Sequence, residues 1–316
     1  MKLTRIFIIL AGFGLLISAC QPATPAGPVT LRIAVLPILD ALPMYVAQQE
    51  GLFAEQNVVV EFIPAGSAAE RDQIILAGQA DGMINDPISA LLYNRDSIQV
   101  QVVRIARAAT PTFPQYRILA SAQSGITSVE ALSGVPIGIS EGTIIQYVNY
   151  RLLTAEGLAP EQISTIAVPN ISERMQLLAS GELQAAVMPD PLSDLAIQSG
   201  AVVVTDDTSH PEYAYSTYAF RLPVIEESPQ AIRGFLAAIE EAVALINADP
   251  TAWDSLLTEQ SLVPAPLIGS YQMPAFPTAS VPTQAQWEDA LAWAREAGLV
   301  DTDISYTDSV TGSYLP

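Results

Sequence analysis

The sequence has one cysteine, one histidine and one lysine among its 316 residues: Cys20, His210 and Lys2. A single cysteine excludes an intramolecular disulfide and a cluster of cysteine metal ligands. A lone histidine excludes a site with several histidine metal ligands. His210 is followed by proline in a polar loop, where a histidine is usually solvated, which argues against a Ser-His-Asp arrangement, and no glycine-rich phosphate loop is present. We therefore predict no catalytic residue, no metal site and no cofactor.

Positive charge is scarce as well. The chain has 13 basic and 33 acidic residues, which gives a net charge of -20, and half of its residues are hydrophobic. A surface this acidic argues against binding to nucleic acid or to an anionic membrane surface. A chain of this length and hydrophobicity can bury a large core, and we expect two globular domains.

The single cysteine lies at the end of an N-terminal segment. Lys2 and Arg5 precede an apolar run at residues 6–17, and Ser18 and Ala19 stand directly before Cys20. This order predicts a secretory signal peptide over residues 1–19. The last residues resemble the lipobox of bacterial lipoproteins, which implies lipidation of Cys20. An ordinary signal peptide or a short membrane anchor is the alternative, although the run is short for a span of about 20 residues.

Residues 20–29 are rich in proline, alanine and glycine, and they predict a flexible tether. No later stretch is apolar and long enough to span a bilayer. The prediction is therefore an extracytoplasmic protein, anchored to the cell membrane by the lipid on Cys20.

A repeated pattern organises the rest of the chain. At a nearly constant offset, two sets of short motifs recur: Glu50-Gly51-Leu52, Glu70-Arg71 and Asp86-Pro87 in the first copy, and Glu156-Gly157-Leu158, Glu173-Arg174 and Asp190-Pro191 in the second. The repeat predicts two lobes built on one plan, each with a strand that ends in Asp-Pro.

Hydrophobic patterning predicts strands alternating with helices, which is typical of a mostly parallel α/β sheet. We expect strands at 31–36, 58–63, 81–84, 100–106, 134–139, 164–168, 185–188 and 201–204, and crossing strands at 116–120 and 213–221. Helices are expected at 41–50, from 68, at 88–93, at 144–156, after 172, and at 229–247, 251–259 and 283–298, with a loop at 264–282. Two crossings between lobes would form a hinge.

Six features in a fixed order carry a resemblance to a known family. They are the lipobox, a strand with a ligand loop, Glu50-Gly51-Leu52-Phe53 at a helix end, residues 132–138 opening the second lobe, residues 178–181 before a strand, and Asp190-Pro191. Together they resemble the solute-binding proteins of bacterial ABC importers. The group in question includes binders of nitrate, sulfonate and taurine and binders of thiamine-pyrimidine precursors.

The resemblance implies a two-lobed α/β fold of the periplasmic-binding-protein type II, with two crossover strands between the lobes. We expect residues 30–115 plus 214–316 to form lobe 1 and residues 116–213 to form lobe 2. It also implies a monomer that closes on a small-molecule ligand and passes it to a membrane permease with its ATPase.

Ligands of open parallel sheets bind beyond the carboxyl ends of the strands, where loops and helix N-termini converge. The residues that follow predicted strands, or lie early in the next helix, are therefore the candidate ligand-binding residues, and Arg117 joins them near the hinge. The predicted site consists of Asp40, Tyr45, Ser67, Asn85, Asp86, Arg117, Gly142, Thr143, Tyr147 and Asp190.

Several of these residues have a second interpretation. Asp86 and Asp190 would either bind the ligand or cap the helix that follows, and Thr143 would cap its helix or present backbone N–H groups to the ligand. Arg71 and Arg174 would form salt bridges or contact the ligand. Aromatic residues at helical spacing are usually core residues, and Tyr45 and Tyr147 would stack on a flat ligand only because each follows a predicted ligand loop.

The acidic residues in these loops favour a neutral or amino-bearing heterocycle, such as a pyrimidine or a flavin-like vitamin precursor. A binder of nitrate, sulfonate or taurine is the alternative. An enzyme of the same fold, a pyrimidine-precursor synthase or a small-acid dehydratase with Asp40 or Asp86 in acid-base roles, is a second class. A surface adhesion or structural lipoprotein is a third.

Overall fold

The computed structural model describes residues 27–316. The predicted signal peptide, the lipidation site at Cys20 and most of the tether lie outside these residues. The described chain forms two five-stranded mixed sheets.

The first sheet has the strand order β2-β1-β3-β10-β4. Its strands are β1 Val29–Val35, β2 Val58–Pro64, β3 Gly82–Asn85, β4 Val100–Ala108 and β10 Tyr215–Arg221. Strand β1 pairs in parallel with β2 and β3, whereas β10 runs antiparallel between β3 and β4. A strand from late in the chain therefore completes the sheet of the first repeat.

The second sheet repeats this plan with the order β7-β6-β8-β5-β9. Its strands are β5 Tyr116–Ala120, β6 Pro136–Ile139, β7 Ser164–Ala167, β8 Ala185–Pro189 and β9 Val202–Asp206. Strand β6 is parallel to β7 and β8, and β5 is antiparallel to β8 and β9. The two sheets have the same layout, as the sequence repeat predicts.

Helices connect and cover the strands. They are α1 Leu42–Gln49, α2 Leu52–Glu55, α3 Ala68–Leu76, α4 Pro87–Asn94, α5 Ile144–Ala155, α6 Ile171–Ser180, α7 Leu192–Gln198, α8 Leu222–Glu227, α9 Pro229–Ala248, α10 Asp254–Glu259, α11 Gln284–Glu296 and α12 Tyr306–Ser309. Short 3-10 turns occur between them, including Leu39–Ala41 directly before α1 and Ala265–Leu267 inside the predicted loop at 264–282. No helix within residues 27–316 is both long and apolar enough to cross a membrane.

Side-chain caps fix the start of the helices that follow cleft-facing strands. Ser67, Asp86, Thr143 and Asn170 each accept a hydrogen bond from a backbone N–H in the first turn of α3, α4, α5 and α6. Each cap satisfies one of the amide groups that a helix N-terminus leaves unpaired. The turn from strand to helix is thereby fixed at the edge where a ligand would bind.

The long C-terminal helices pack as the patterning predicts, with one addition. Helix α9 lies on α1, α2 and β2, and α10 lies on α1, all elements of the first repeat. Helix α11 packs on α4, but it also contacts α5 of the second repeat. Helices α7 and α8 are not among the predicted elements, since both are short.

The connections between the sheets differ from the prediction. Strand β5 lies wholly within the second sheet, so the crossings are made by residues 109–115 and 207–214. The two crossings are joined where Ala109 N–H donates to the carbonyl of Ala214 over 2.9 Å. The buried carboxylate of Asp207 also accepts hydrogen bonds from Gln115 N and Tyr116 N, at 3.0 and 2.7 Å. Asp207 therefore ties one crossing to the other.

Candidate ligand-binding site

An ion pair joins the two sheets at the carboxyl ends of their strands. Arg107, near the end of β4, donates from Nη2 to Oδ2 of Asp190, which follows β8. Both side chains are almost fully buried. Tyr271 donates its hydroxyl proton to the same Asp190 oxygen over 2.5 Å. The carboxylate of Asp190 therefore binds groups from outside its own sheet and does not cap a helix.

Asp40 lies on the other side of Arg107. Its Oδ2 is 3.7 Å from Arg107 Nη1, and its Oδ1 accepts hydrogen bonds from Ser216 Oγ and, over 3.3 Å, from Gln115 Nε2. Asp40 is 3% exposed, so these contacts are shielded from water. One arginine is thus shared by two of the predicted site carboxylates.

Arg117 belongs to the same cluster. Its Nη1 lies 2.8 Å from Asp194 Oδ1 and 4.0 Å from Asp190 Oδ1, and it also donates to Ser193 Oγ. Burial raises the pKa of Asp194, and the positive charge of Arg117 opposes that increase. The structure therefore brings together Asp40, Arg117 and Asp190 of the predicted site.

Asn85 and Asp86 end the equivalent strand of the first sheet. Asn85 Oδ1 accepts from Thr217 Oγ1 over 2.7 Å, while Asn85 Nδ2 has no hydrogen-bond partner among the described residues. Asp86 Oδ1 accepts from Ser89 N over 2.9 Å and caps α4. Burial raises the pKa of Asp86, with Arg71 opposing the shift. The two Asp-Pro motifs thus have different partners.

The paired arginines of the repeat also differ. Arg71 binds the carbonyl of Ile84 and Ser89 Oγ, and it forms an ion pair of 2.8 Å with Asp72. Arg174 has equivalent neutral partners, the carbonyl of Val168 and Ser140 Oγ, at 2.9 and 3.0 Å. Only Arg71 has a carboxylate partner among the ion pairs of the described residues.

Arg174 is fully buried without a neutralising charge. Its exposure is 0%, and its Nε and Nη2 have no hydrogen-bond partner in residues 27–316. Burial lowers its pKa to about 10. The side chain lies against Gly138 of β6, where an added Cβ would be 3.4 Å from Arg174 Cδ and 2.8 Å from Leu183 Cδ1. Gly138 therefore provides the space for this buried cation.

The loop after β6 is a tight helix start. Gly142 N–H donates to Gln146 Oε1 over 2.8 Å. Thr143 Oγ1 donates to the carbonyl of Ser140 and accepts from Ile145 N. The capping interpretation of Thr143 is thus present in the structure, and its contact with a ligand stays a prediction.

The remaining predicted residues have other neighbours. Ser67 caps α3 by accepting from Glu70 N over 3.2 Å. Tyr45 is half-buried and meets Phe62 edge-on at 4.8 Å, and burial raises its pKa. Tyr147 is buried and donates to Asp289 Oδ2 over 2.6 Å. None of these three contacts the Arg107–Asp190 ion pair, so their roles as ligand residues stay predictions.

The predicted site does not include several residues that build the cluster around Arg107 and Asp190, namely Arg107, Gln115, Ser216 and Tyr271, nor the separate buried cation Arg174. A signal existed for Arg107, because it is a charged residue near the end of an apolar strand. No local pattern marks Tyr271, which comes from the proline-rich segment after α10 and reaches Asp190 only in the folded chain.

Two sheets of this order, with their strand ends joined across a polar cluster, define the type II periplasmic-binding-protein fold. The predicted fold class is confirmed by similarity to solved structures. The chain belongs to the NMT1/THI5-like family, whose sequence pattern it matches over residues 39–252. This result confirms the family resemblance.

A curated relative in Escherichia coli (strain K12), described as an aliphatic sulfonates-binding protein, is 27% identical over 292 residues, which cover 89% of this chain and 88% of the relative. The alkanesulfonate-binding protein SsuA from Xanthomonas axonopodis pv. citri, bound to MOPS, superposes with a TM-score of 0.75 at 17% identity, covering 90% of this chain and 99% of SsuA. The nitrate-binding protein NrtA from Synechocystis PCC 6803 gives 0.73 at 15% identity, covering 91% and 87%.

The fold also occurs in an enzyme. The desulfurization enzyme DszB superposes with a TM-score of 0.65 at 14% identity, and the match covers 90% of this chain and 97% of DszB. Similarity at this level of identity establishes the fold alone.

Proposed function

We propose that this protein is the extracytoplasmic solute-binding component of an ABC importer, and that its ligand is a small organic anion of the aliphatic sulfonate class. The observation that carries the choice of ligand is Arg174, a buried guanidinium with two unpaired nitrogens and no carboxylate partner among the described residues. The names of the relatives support the same class.

Arg174 favours an anion for an electrostatic reason. A buried charge without a partner is strongly unfavourable, and an oppositely charged group that binds beside it removes much of that cost. Arginine also presents N–H groups in a planar fork that matches the oxygens of an oxyanion. Ser140 and Val168, which Arg174 contacts, directly follow the carboxyl ends of β6 and β7, the edge where ligands of this fold class bind.

The first sheet supplies further donors. Arg107 has no hydrogen-bond partner at Nε or Nη1 among the described residues, and Asn85 has none at Nδ2. All three atoms are buried near the strand ends of the first sheet. Ligand oxygens that accept from these atoms would satisfy groups that are otherwise costly to bury.

The heterocycle predicted from the acidic loops has less support than the alternative. That prediction treats the carboxylates as free to bind ligand donors. Asp40 and Asp190 instead share Arg107, Asp86 caps α4, and Asp194 pairs with Arg117. With the charges of Asp40 and Asp190 paired to Arg107, these carboxylates no longer argue against an anionic ligand, although Asp190 Oδ1 accepts no hydrogen bond among the described residues.

Binding would close the two sheets on the ligand about residues 109–115 and 207–214. We further propose that the division into lobes at 30–115 plus 214–316 and 116–213, the lipid anchor at Cys20, and the delivery of ligand to a permease with its ATPase apply to this protein. These proposals rest on the sequence pattern and on the family.

Calorimetric titration of the protein lacking residues 1–19 tests the ligand class. Ethanesulfonate and taurine are the sulfonate probes, nitrate is a small inorganic anion, and 4-amino-5-hydroxymethyl-2-methylpyrimidine represents the heterocycles. We expect saturable heat with a sulfonate and little with the pyrimidine. Saturable binding of the pyrimidine with no response to either sulfonate would overturn the proposed class.

The same preparation tests the enzyme alternative, which the fold of DszB alone supports. His210 is paired with Glu212 at 3.3 Å on a partly exposed crossing segment. Incubation with a bound sulfonate should return it unchanged by mass spectrometry. Conversion of the ligand would overturn the proposal of a binding protein.

A further inference from the structure

The proline-rich segment between α10 and α11, residues 264–282, is anchored in the first repeat on both sides of Tyr271. Before Tyr271, Leu267 is buried in the apolar core of the first sheet, and after it Phe276 is buried in the same core. The backbone N–H and carbonyl of Phe276 also pair with the side-chain amide of Asn247 in α9, at 2.8 and 2.9 Å. We call this segment the strap, because both of its ends are fixed to the first repeat.

The middle of the strap contacts the second repeat. The hydroxyl of Tyr271 donates to Asp190 Oδ2 over 2.5 Å, and the same oxygen accepts from Arg107. Burial and the negative charge of Asp190 raise the pKa of Tyr271, so its hydroxyl keeps the proton and stays a donor at neutral pH. Helix α7, which begins just after Asp190, packs on the 3-10 turn of the strap, and its Leu195 lies against the core of the first repeat. Two groups of the first repeat thus hold one carboxylate of the second.

The contacts at Asp190 can break without unfolding either sheet. They are polar, and they lie between the sheets rather than inside one of them. If the sheets separate about residues 109–115 and 207–214, water reaches the carboxylate, the guanidinium and the hydroxyl together, so no charge is left buried alone. A hydrogen bond to a charged group has a modest net free energy in water, which makes such a contact reversible.

We propose that Tyr271 and Arg107 form a latch on Asp190 that keeps the two sheets closed before a ligand binds. The latch consists of protein groups alone, so it acts without ligand. The inference rests on the proposed function, because it concerns the opening of the same ligand site. Ligand enters and leaves while the latch is open, and a bound ligand adds stability to a closed form that the protein already favours.

Tyr93 provides a matched control within one repeat. Like Tyr271, it donates its hydroxyl to an aspartate carboxylate, in this case Asp72 Oδ1 over 3.0 Å. Tyr93 lies in α4 and Asp72 in α3, and both helices belong to the first repeat. Replacement of either tyrosine by phenylalanine removes one hydroxyl and keeps the ring. Only Tyr271→Phe removes a contact between the repeats.

Spin labels on two edge strands report the separation of the sheets. The crossing segments adjoin β4 and β10 in the first sheet and β5 and β9 in the second, so the opposite edge strands β2 and β7 move farthest when the sheets separate. Glu61 of β2 and Thr165 of β7 are both exposed. In the protein lacking residues 1–19, Cys20→Ser removes the one cysteine, so Glu61→Cys and Thr165→Cys carry the only labels.

Double electron–electron resonance measures the distance between the labels without added ligand. We expect a short main distance in the parent protein and a longer minor one. Tyr271→Phe should raise the ratio of open to closed molecules about tenfold, which corresponds to about 1.4 kcal/mol, while Tyr93→Phe should leave it within about twofold. Both variants lose one hydrogen bond, so both should melt slightly below the parent protein, and thermal unfolding checks that both are folded.

Three results would each overturn the latch: a parent protein that is mainly open, an unchanged ratio in Tyr271→Phe, or an equal increase in Tyr93→Phe. The distances are measured without ligand, whereas the calorimetric titration with sulfonates tests the proposed function. Failure of the latch and failure of the proposed function are therefore distinguishable.

Discussion

Arg107 of the first sheet and Asp190 of the second form a buried ion pair at the facing ends of β4 and β8. Tyr271 donates to the same carboxylate, and Asp40 lies on the far side of the guanidinium. The contact joins residues 83 positions apart and holds the ends of the two sheets together.

The first prediction concerns this ion pair. Asp190→Asn keeps the shape of the side chain but leaves the charge of Arg107 with only the more distant Asp40. Breaking one side of a buried pair typically costs about 3–5 kcal/mol, and we expect a loss near the lower end of that range. Urea unfolding of the ligand-free protein measures it.

Asp194→Asn is the matched control. Its partner Arg117 is close, at 2.8 Å, but the Asp194 side chain is 31% exposed. Solvent screening should limit the loss to about 1 kcal/mol or less. Equal losses in the two variants would contradict a special role for the Arg107–Asp190 pair.

The second prediction separates the two Asp-Pro motifs. Asp86 caps α4 through Ser89 N, so Asp86→Ala should lose roughly 1 kcal/mol of stability, while Asp86→Asn, also a good cap, should lose little. Neither variant should change sulfonate affinity by more than about twofold, because the carboxylate is used inside the protein. If Asp86→Asn folds normally but no longer binds the ligand, Asp86 is a ligand residue.

The third prediction uses the paired arginines. Arg174→Met removes the unpartnered cation, and we expect a loss of ethanesulfonate affinity of about tenfold or more, equivalent to about 1.4 kcal/mol, by calorimetry. Arg71→Met is the control, because Arg71 already forms an ion pair with Asp72. It should reduce stability and leave sulfonate affinity within about twofold. The reverse pattern would place the anion at Arg71.

Much of the fold follows from the sequence, because the information is local. Strand β5 has the predicted bounds 116–120, and the Asp-Pro motifs do end strands β3 and β8 in equivalent places. The sequence does not predict the crossing segments correctly, since β5 has the same sequence pattern whether it spans two lobes or belongs to one sheet. Its partners β8 and β9 come far later in the chain.

The partners of the site residues cannot be predicted from the sequence for a similar reason, because they come from distant parts of the chain. The repeat predicts that Asp86 and Asp190 occupy matching positions, but it contains nothing about Arg107 or Tyr271, which contact Asp190 and not Asp86. From the sequence alone, the carboxylates of these acidic loops are therefore predicted to have no cationic partner. Whether a carboxylate is neutralised depends on which residue of another element reaches it, and that is decided by the packing of the two sheets.

The last prediction concerns the crossing segments. Burial raises the pKa of Asp207 from 3.8 to about 7, and the charge of Asp206 adds to the increase. The N–H groups of Tyr116 and Gln115 and the charge of Arg107 lower the pKa, but they only partly offset the effect of burial. Between these two pH values the folded protein keeps a proton that the unfolded chain has lost. The unfolded state then binds fewer protons, so the contribution of Asp207 to stability falls as pH rises from about 4 to about 7 and is constant above that.

The variant Asp207→Asn cannot ionise and still offers an oxygen to the two N–H groups. Urea unfolding at pH 4 to 8 should show the parent protein losing up to about 4 kcal/mol relative to Asp207→Asn across that range, at about 1.4 kcal/mol for each pH unit. Asp206→Asn, at a half-buried neighbour that accepts from Thr208 N, should keep most of the parent's pH dependence, because burial is the largest cause of the shift and the charge of Asp206 adds only a smaller part. An unchanged slope in Asp207→Asn would mean that the carboxylate joining the crossings is ionised throughout, and the two N–H donors would then outweigh its burial.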